Sequence, residues 1–284
     1  MSKAQDWFEL IDSLGVYSDT NLGATAVYKP LMTLMVIARA QHGGENHFLF
    51  STIRQELSGH MKGFGQSKNP RPLYPFWYLR NDGFWEISAD GKLEVRQGKP
   101  EPKVSELLEK NAFGYVPENL WRQLVSDDAL STKLAQKLLD DYWPVSVHDD
   151  LLPALGVRAA GSVSSEAEDT RDKAFREKVM IAYNYQCAVC GFDGKVGGVP
   201  FGVEAAHIQA RSKKLGGGPD LVTNGISLCS LHHKAFDYGV IALSDDFHIL
   251  VSSRLAGGLQ QDGAVTRWIR DFENELAIVP RGDS

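Results

Sequence analysis

The chain has 284 residues, of which 43% are hydrophobic and 23% are charged, and this composition is typical of a soluble globular protein. Its length fits two domains better than one. No run of 18 apolar residues predicts a membrane span, and no charged-then-apolar N-terminal leader predicts secretion. All three cysteines suit a role as thiolate metal ligands, which is compatible with the reducing cytoplasm, where we expect the protein to act.

The formal net charge is −6 at pH 7, but the charge is unevenly distributed along the chain. Residues 1–170 carry 17 basic and 23 acidic side chains, whereas residues 171–284 carry 13 of each. Within residues 29–80, seven basic side chains stand against two acidic ones. A basic window in an acidic domain favours a specific docking site for a DNA backbone over indiscriminate phosphate binding. Scattered, solvated charges are the alternative.

The first half of the chain predicts a mixed α/β domain over residues 1–157. Apolar residues at helical spacing predict helices near residues 3–14, 30–40, 52–57, 103–110, 117–124 and 129–141. Ser51 is a candidate N-cap for the third of these helices. Two aromatic runs, at residues 76–79 and 84–87, are separated by an Asn-Asp-Gly turn and predict a short hairpin.

The second half predicts a separate domain behind a linker. Residues 158–170 are small and polar without periodicity, which is typical of a linker, and the second domain would span residues 171–284. Helices are predicted at residues 171–183, 230–237 and 265–275, and strands at residues 203–208, 225–228, 240–243 and 248–252. The first two strands, the Gly-rich loop between them and the helix after them form a ββα unit. The fold class is therefore α+β in two domains.

Two pairs of metal-ligand residues, each at two-residue spacing, lie in the second domain. Cys187 and Cys190 form the first pair, Cys229 and His232 form the second, and 38 residues separate the pairs. Two such pairs offer four nitrogen and sulfur ligands to a tetrahedral Zn²⁺, the set that structural Cys₃His sites use. The pattern predicts a structural zinc ion. By itself, this zinc site would also fit an interaction module that is stabilised by zinc and has no catalytic activity.

The segment around the second pair contains residues that suit phosphodiester hydrolysis. A nuclease must activate a water molecule and neutralise charge on the scissile phosphate, and a neutral imidazole can accept the proton near pH 7. Glu204-Ala-Ala-His207-Ile208, Asn224-Gly-Ile-Ser-Leu-Cys229 and His232-His233-Lys-Ala-Phe-Asp237 resemble the HNH endonuclease family. The resemblance implies that His207 is the general base and that Asn224 positions the loop or binds metal. It also implies that His233 binds a catalytic Mg²⁺ or Mn²⁺ ion.

One position departs from the HNH pattern. Many HNH enzymes have Asp or His directly before the general base, where this chain has Ala206. Glu204, Asp237 or water can supply the missing ligand, and Mg²⁺ accepts several water molecules. The sequence is equally compatible with Glu204 and Asp237 being metal ligands and with their being carboxylates that only support the ligands or lie on the surface.

The first domain contains an aromatic segment, Leu73-Tyr-Pro-Phe-Trp-Tyr-Leu-Arg80. With Tyr28-Lys29-Pro-Leu31 and Ala112-Phe-Gly-Tyr115, it resembles the sulfur-binding domain of phosphorothioate-dependent restriction endonucleases, where that domain precedes an HNH domain. The resemblance implies that Tyr74 and Pro75 form a shallow apolar pocket for sulfur, which is larger and less hydrated than oxygen. Further candidate DNA contacts are Tyr28, Lys29, Arg71 and Arg80. An ordinary α/β domain with an aromatic core is the alternative.

These features together predict a type IV-like restriction endonuclease. It would recognise phosphorothioate-modified double-stranded DNA through residues 1–157 and cut nearby with the HNH site. One alternative is an HNH endonuclease that recognises a methylated or hydroxymethylated base, although no motif for a flipped base stands out. The other is a catalytically inert DNA-binding protein stabilised by zinc, which Ala206 keeps open. Because one HNH site cuts one strand at a time, double-strand cleavage would favour a homodimer.

Overall fold

The structure is a computed structural model that describes residues 6–19, 24–95, 98–160, 166–253, 255 and 263–280. The chain forms two compact units. Residues 1–143 with 148–162 form the N-terminal unit, and residues 144–147 with 163–284 form the C-terminal unit. Across the described ranges, no helix combines the length and the apolar character that crossing a membrane requires.

The N-terminal unit combines helices with two small antiparallel sheets. Its elements and the helix that follows them are α1 (Trp7–Asp12), β1 (Tyr17–Asp19), β2 (Ala24–Ala26), α2 (Tyr28–Gln41), β3 (Phe48–Leu49), α3 (Phe50–Gly63), α4 (Leu73–Tyr78), β4 (Glu86–Ser88), α5 (Val104–Glu109), β5 (Phe113–Tyr115), α6 (Glu118–Ser126), α7 (Asp128–Tyr142) and α8 (Val145–Leu155). β1 pairs with β2, and β5 lies between β3 and β4. Within this unit α2 packs against α3, α4, α6 and α7.

Aromatic side chains fill the core of the N-terminal unit. The ring of Trp85 packs against those of Phe48 and Phe76, with centroids 5.2 and 5.8 Å apart, and its indole nitrogen donates to the backbone oxygen of Phe76. β5 passes so close to Trp85 that a Cβ at Gly114 would lie 1.8 Å from the indole ring. Glycine is therefore required at this position of the central strand.

The aromatic segment is helical, so the predicted hairpin is wrong. Residues 73–78 form α4, a 3₁₀ turn follows at Leu79–Asp82, and only β4 is a strand. Pro75 is compatible with the helix because it occupies the first turn, where backbone N–H groups have no intrahelical acceptor. Aromatic residues favour strands only where their neighbours suit a sheet, and here burial of Phe76 and Trp77 is achieved by a helix.

The other helices of this unit follow the hydrophobic pattern more closely. α2, α5, α6 and α7 confirm four predicted helices to within two residues at each end. Ser51 is not an N-cap, because α3 already begins at Phe50 and its N-cap is Leu49. α3 also continues to Gly63, since Ile53, Leu57 and Met61 recur every four residues and are buried.

The C-terminal unit is built around a ββα arrangement. Its elements are α9 (Glu166–Ala182), β6 (Lys195–Val196), β7 (Val199–Pro200), β8 (Val203–His207), β9 (Gly225–Cys229), α10 (Ser230–Asp237), β10 (Ile241–Leu243), β11 (Ile249–Val251) and α11 (Ala264–Arg270). The pairs β6–β7, β8–β9 and β10–β11 are antiparallel. The helix predicted at residues 265–275 ends at Arg270, and the β6–β7 hairpin was not predicted.

The register of β8 and β9 places the two candidate sites. Val203 pairs with Cys229 and His207 pairs with Gly225, so His207 and Cys229 lie at opposite ends of the pair, about 13 Å apart along the strand. α9 packs against both strands, and a Cβ at Gly225 would lie 2.3 Å from Val179 of α9.

α9 begins at Glu166, so the last five residues of the predicted linker are helical. Acidic residues at a helix N-terminus favour this start, and residues 161–165 lie outside the described part.

Candidate functional site

The first candidate site is a cluster of three cysteines and one histidine in the C-terminal unit. Cys187, Cys190, Cys229 and His232 each place one ligand atom within 4.8 Å of the others. Cys229 Sγ lies 3.1 Å from His232 Nδ1 and 3.9 Å from Cys190 Sγ. The structure therefore brings the four predicted ligands together in a cluster that can hold a metal ion, and this donor set is the one that Zn²⁺ uses in structural sites.

Contacts behind the cluster orient its histidine. His232 Nε2 lies 3.2 Å from the backbone oxygen of Trp268, so an Nε2–H donated there leaves Nδ1 free to bind a metal. The rings of Trp268 and Phe272 pack against the imidazole, one parallel and one edge-on. Hydrogen bonds from Cys190 and Cys229 lower the pKa of the Cys187 thiol, and the thiolate is the form that binds metal.

The second candidate site surrounds His233, the next residue of α10. Its Nδ1 lies 2.6 Å from Glu204 Oε2, and its Nε2 lies 3.3 Å from Asp237 Oδ2. The two carboxylates that the sequence suggested as substitute ligands thus contact one imidazole. Ser230 also donates its hydroxyl to Glu204 at 2.8 Å. Because the two carboxylates face different ring nitrogens, one of them can share a Mn²⁺ or Mg²⁺ ion with the nitrogen that it faces, while the other accepts a hydrogen bond from the second nitrogen.

The pKa values of the two carboxylates are shifted in opposite directions. Burial raises the pKa of Asp237, and the charge of His233 opposes that effect only in part. Burial also acts to raise the pKa of Glu204, but hydrogen bonds from His233 and Ser230 outweigh it and lower the pKa below its usual value. Glu204 is therefore the carboxylate held more firmly in its anionic form.

The burial of Ala206 explains why no metal ligand lies directly before His207. Its side chain is 3% exposed and belongs to the hydrophobic core of the C-terminal unit. Neighbouring residues of a strand face opposite sides, so Ala206 packs inward while His207 remains partly accessible. A charged ligand at position 206 would be buried among apolar side chains.

His207, at the end of β8, is fixed by two partners that the sequence analysis did not assign. Its Nε2 lies 2.9 Å from Asp220 Oδ1. Its ring stacks on Phe175 of α9, with centroids 4.0 Å apart and planes 8° apart. Asp220 follows Pro219 in the Gly-rich loop. No local sequence pattern predicts that it contacts a histidine 13 positions earlier.

Asn224 braces the loop that connects β8 to β9. Its side-chain oxygen accepts from the Gln209 backbone N–H at 2.9 Å, and its amide nitrogen donates to the backbone oxygens of Gln209 and Pro219 at 3.1 and 3.0 Å. The side chain is 8% exposed. These contacts support the loop-positioning role of the two roles considered for Asn224.

In the N-terminal unit, Lys29 is already paired. Its Nζ lies 2.6 Å from Asp82 Oδ2, and Asp82 is 5% exposed. The other oxygen of Asp82 accepts from the Gly15 backbone N–H at 2.8 Å. The sequence predicts that Lys29 contacts the DNA backbone, whereas the structure shows it in a largely buried ion pair with Asp82, with which a bound phosphate would have to compete.

The remaining DNA-contact candidates lie on or beside α4 and α2. Arg71 contacts the Tyr74 hydroxyl at 3.2 Å, and the Arg80 guanidinium lies 3.8 Å from the centroid of the Trp77 ring. Tyr74 is partly exposed, whereas Pro75 is buried. Tyr28 is the first residue of α2 and is partly buried. The packing of α2 on α4 brings the segment that contains Tyr28 and the segment that contains Tyr74 into one region of the unit.

Two protein-family models match the chain, one in its N-terminal part and one in its C-terminal part. A family model described as the ScoMcrA-like DNA sulfur-binding domain matches residues 4–160, more than half of the chain. The chain belongs to this family. A second model, described as HNH endonuclease, matches residues 187–244, a range that contains both candidate sites of the C-terminal unit. This member of the sulfur-binding domain family therefore also has an HNH endonuclease domain.

Several solved structures are similar to this chain at low sequence identity. The sulfur-binding domain of ScoMcrA complexed with phosphorothioated DNA is 19% identical, with a TM-score of 0.48 over 54% of this chain and 100% of that chain. That of SprMcrA, also complexed with phosphorothioated DNA, is 21% identical, with a TM-score of 0.45 over 53% of this chain and 92% of that chain. The type IV phosphorothioation-dependent restriction endonuclease ScoMcrA is 20% identical, with a TM-score of 0.46 over 54% of this chain and 33% of that chain. No curated protein matches the chain.

Proposed function

We propose that this chain is a phosphorothioate-dependent DNA endonuclease. In this proposal residues 1–157 bind duplex DNA at a phosphorothioate, and residues 171–284 hydrolyse a phosphodiester bond nearby. The observation that carries the proposal is the presence of a sulfur-binding domain match and an HNH endonuclease match in one chain. Coupling a domain that recognises the modification to a hydrolytic domain would restrict cleavage to modified DNA.

Recognition of sulfur is assigned to the partly exposed Tyr74 with Pro75 on α4. A non-bridging sulfur is less strongly hydrated than oxygen, so it loses less free energy when apolar groups cover it. Tyr28, Arg71 and Arg80 would contact the neighbouring backbone, and Lys29 would contribute once a phosphate competes with Asp82. The stacking of Arg80 on Trp77 limits the conformational entropy that such a contact loses.

Two metal ions are assigned to the HNH domain. Cys187, Cys190, Cys229 and His232 would hold a structural Zn²⁺ that stabilises the fold. His233, through Nε2, and Asp237 would hold Mg²⁺ or Mn²⁺, with water molecules completing the ligand set. This second ion would neutralise charge on the scissile phosphate and on the leaving oxygen.

The protein's own contribution to hydrolysis is centred on His207. As a neutral imidazole it would accept a proton from the attacking water, whose oxygen bonds to phosphorus as the bond to the leaving oxygen breaks. Phe175 limits rotation of the imidazole ring, and Asn224 holds the adjoining loop. Glu204 would hold the His233 ring in position through its Nδ1 contact.

Competition binding tests the recognition step. Phosphorothioate and plain duplexes of one sequence should compete unequally for the wild-type protein, and Tyr74→Ala, at the partly exposed member of the pair, should reduce the preference for the modified duplex. Lys29→Ala should weaken binding to both duplexes and lower the salt slope by about one unit. The double variant Lys29→Ala/Asp82→Ala is the control, because it removes the unpaired carboxylate that Lys29→Ala leaves behind. Equal wild-type affinity for the two duplexes would reject sulfur recognition and favour a modified base.

A further inference from the structure

We propose that Asp220 is a positioning residue for His207: its carboxylate accepts the Nε2–H hydrogen bond and leaves Nδ1 as the atom that accepts the proton. Neither the family resemblance nor the sequence pattern assigns a role to Asp220. The inference deepens the proposed endonuclease function and rests on it. It concerns the atom of His207 that acts as base and the side chains that hold that atom in place.

The contact between the two side chains has the geometry of a charge-assisted hydrogen bond. His207 Nε2 and Asp220 Oδ1 are 2.9 Å apart, and the side chains are 20% and 29% exposed. Arg211 Nε lies 3.8 Å from the same carboxylate oxygen. An ionised acceptor in a partly shielded position makes a stronger hydrogen bond than a neutral one.

A second contact fixes the plane of the imidazole. The Phe175 ring lies parallel to it at a centroid distance of 4.0 Å, and Phe175 is 5% exposed within the core of the C-terminal unit. Phe175 therefore limits rotation out of the plane, while Asp220 fixes the orientation within the plane. One contact from α9 and one from the loop together specify a single orientation of the base.

Asn224 connects the two members of the pair. Its side chain bonds to both backbone groups of Gln209, two residues after His207, and to the backbone oxygen of Pro219, directly before Asp220. Gly218 allows this close approach, because a Cβ there would lie 2.0 Å from the Gln209 oxygen and 2.6 Å from Asn224 Nδ2. The conformation of the loop thus determines the position of Asp220 relative to His207.

The chemical consequence concerns which nitrogen accepts the proton. With Nε2–H donated to Asp220, the lone pair of the neutral ring is on Nδ1. When a water O–H bond breaks, the proton moves to Nδ1 and the oxygen bonds to phosphorus, while the leaving oxygen keeps the electron pair of the broken P–O bond. The carboxylate stabilises the resulting imidazolium without taking its proton.

The test compares Asp220→Ala and Asp220→Asn with the wild-type protein and with Asp245→Ala as a control at an exposed carboxylate of the same unit. On a phosphorothioate duplex we expect Asp220→Ala to lower kcat by about 10–100-fold, which is less than the full effect of general-base catalysis. KM, zinc content and thermal stability should stay near wild type, since duplex affinity is assigned to the other unit. Asp220→Asn keeps the side-chain volume and should also lower kcat. Wild-type kcat in both variants would overturn the proposal.

A spectroscopic readout separates this proposal from the proposed function. In protein labelled with ¹⁵N-histidine, His207 should show a downfield Nε2–H proton that is absent from His207→Ala and from Asp220→Ala. If the wild-type protein cuts no duplex, the nuclease function fails, yet this signal still supports the pairing of Asp220 with His207. If the signal is missing from the wild-type protein or persists in Asp220→Ala, the positioning role is rejected whatever the cleavage result.

Discussion

Adjacent residues of α10 point in directions about 100° apart, and this separates the two neighbouring histidines. His232 is fully buried and faces Cys229, three residues earlier. His233 is partly exposed and faces Asp237, four residues later. The spacing of residues on one helix therefore directs one imidazole to the thiol cluster and the next imidazole to the carboxylates.

The two histidines should respond differently to substitution. His232→Ala should lose zinc and destabilise the C-terminal unit, because a buried ligand is missing. His233→Ala should keep zinc and fold normally but lose cleavage, because the catalytic ion loses its nitrogen ligand. Zinc content, thermal stability and cleavage measure the three effects, with the partly exposed His248→Ala as control. Zinc retained by His232→Ala but lost from His233→Ala would reverse the assignment.

At the scale of elements, local signals predicted the C-terminal unit well. β8, β9 and α10 each begin at the predicted residue and end within one residue of the predicted end, because the apolar strands and the second pair of metal-ligand residues lie close together in sequence. The helix over Leu73–Tyr78 could not be predicted from local signals, because its aromatic side chains pack against residues that are distant in sequence, such as Phe50 against Phe76. The Asp220–His207 contact likewise depends on a loop conformation that no local pattern specifies.

The central strand β5 provides a test of packing at this scale. Gly114→Ala should destabilise the N-terminal unit by about 1–3 kcal/mol, because the added Cβ would lie 1.8 Å from the Trp85 ring and one of the two must move. Gly59→Ala is the matched control. Position 59 is exposed within α3 and has open space around its Cβ, so alanine should stabilise the protein by about 0.5–1 kcal/mol. Equal stability of the two variants, measured by denaturant unfolding, would contradict the packing described for Trp85.

For the whole molecule, the net charge of −6 and the pairing of Lys29 with Asp82 both act against indiscriminate binding to phosphate. A protein with this charge is repelled by plain DNA at long range. A specific contact of a few kcal/mol can then decide which duplex is bound. Weak non-specific binding to DNA and the apolar pocket assigned to sulfur would thus both increase the preference for phosphorothioate-modified duplexes.

Removal of zinc should affect the two units unequally. Small units built around cysteine pairs draw folding free energy from the metal, so a chelator should unfold the C-terminal unit and leave the N-terminal unit folded. Five of the six tryptophans lie in residues 1–143 and the sixth is Trp268, so tryptophan fluorescence reports mainly on the N-terminal unit and zinc release on the other. Cys229→Ser should reproduce the effect and abolish cleavage. Normal cleavage by Cys229→Ser would reject the structural zinc.

Digestion of matched plasmids tests the central proposal most directly. One plasmid would carry phosphorothioate linkages, one would carry methylated or hydroxymethylated bases, and one would be unmodified, each incubated with the protein and Mg²⁺ or Mn²⁺. We expect cleavage of the phosphorothioate plasmid alone, and none by His207→Ala, because general-base catalysis contributes on the order of 10²–10⁴ in rate. Cleavage of the base-modified plasmid instead, or equal cleavage of all three, would contradict phosphorothioate dependence, and binding of the phosphorothioate plasmid without cleavage would contradict the nuclease assignment.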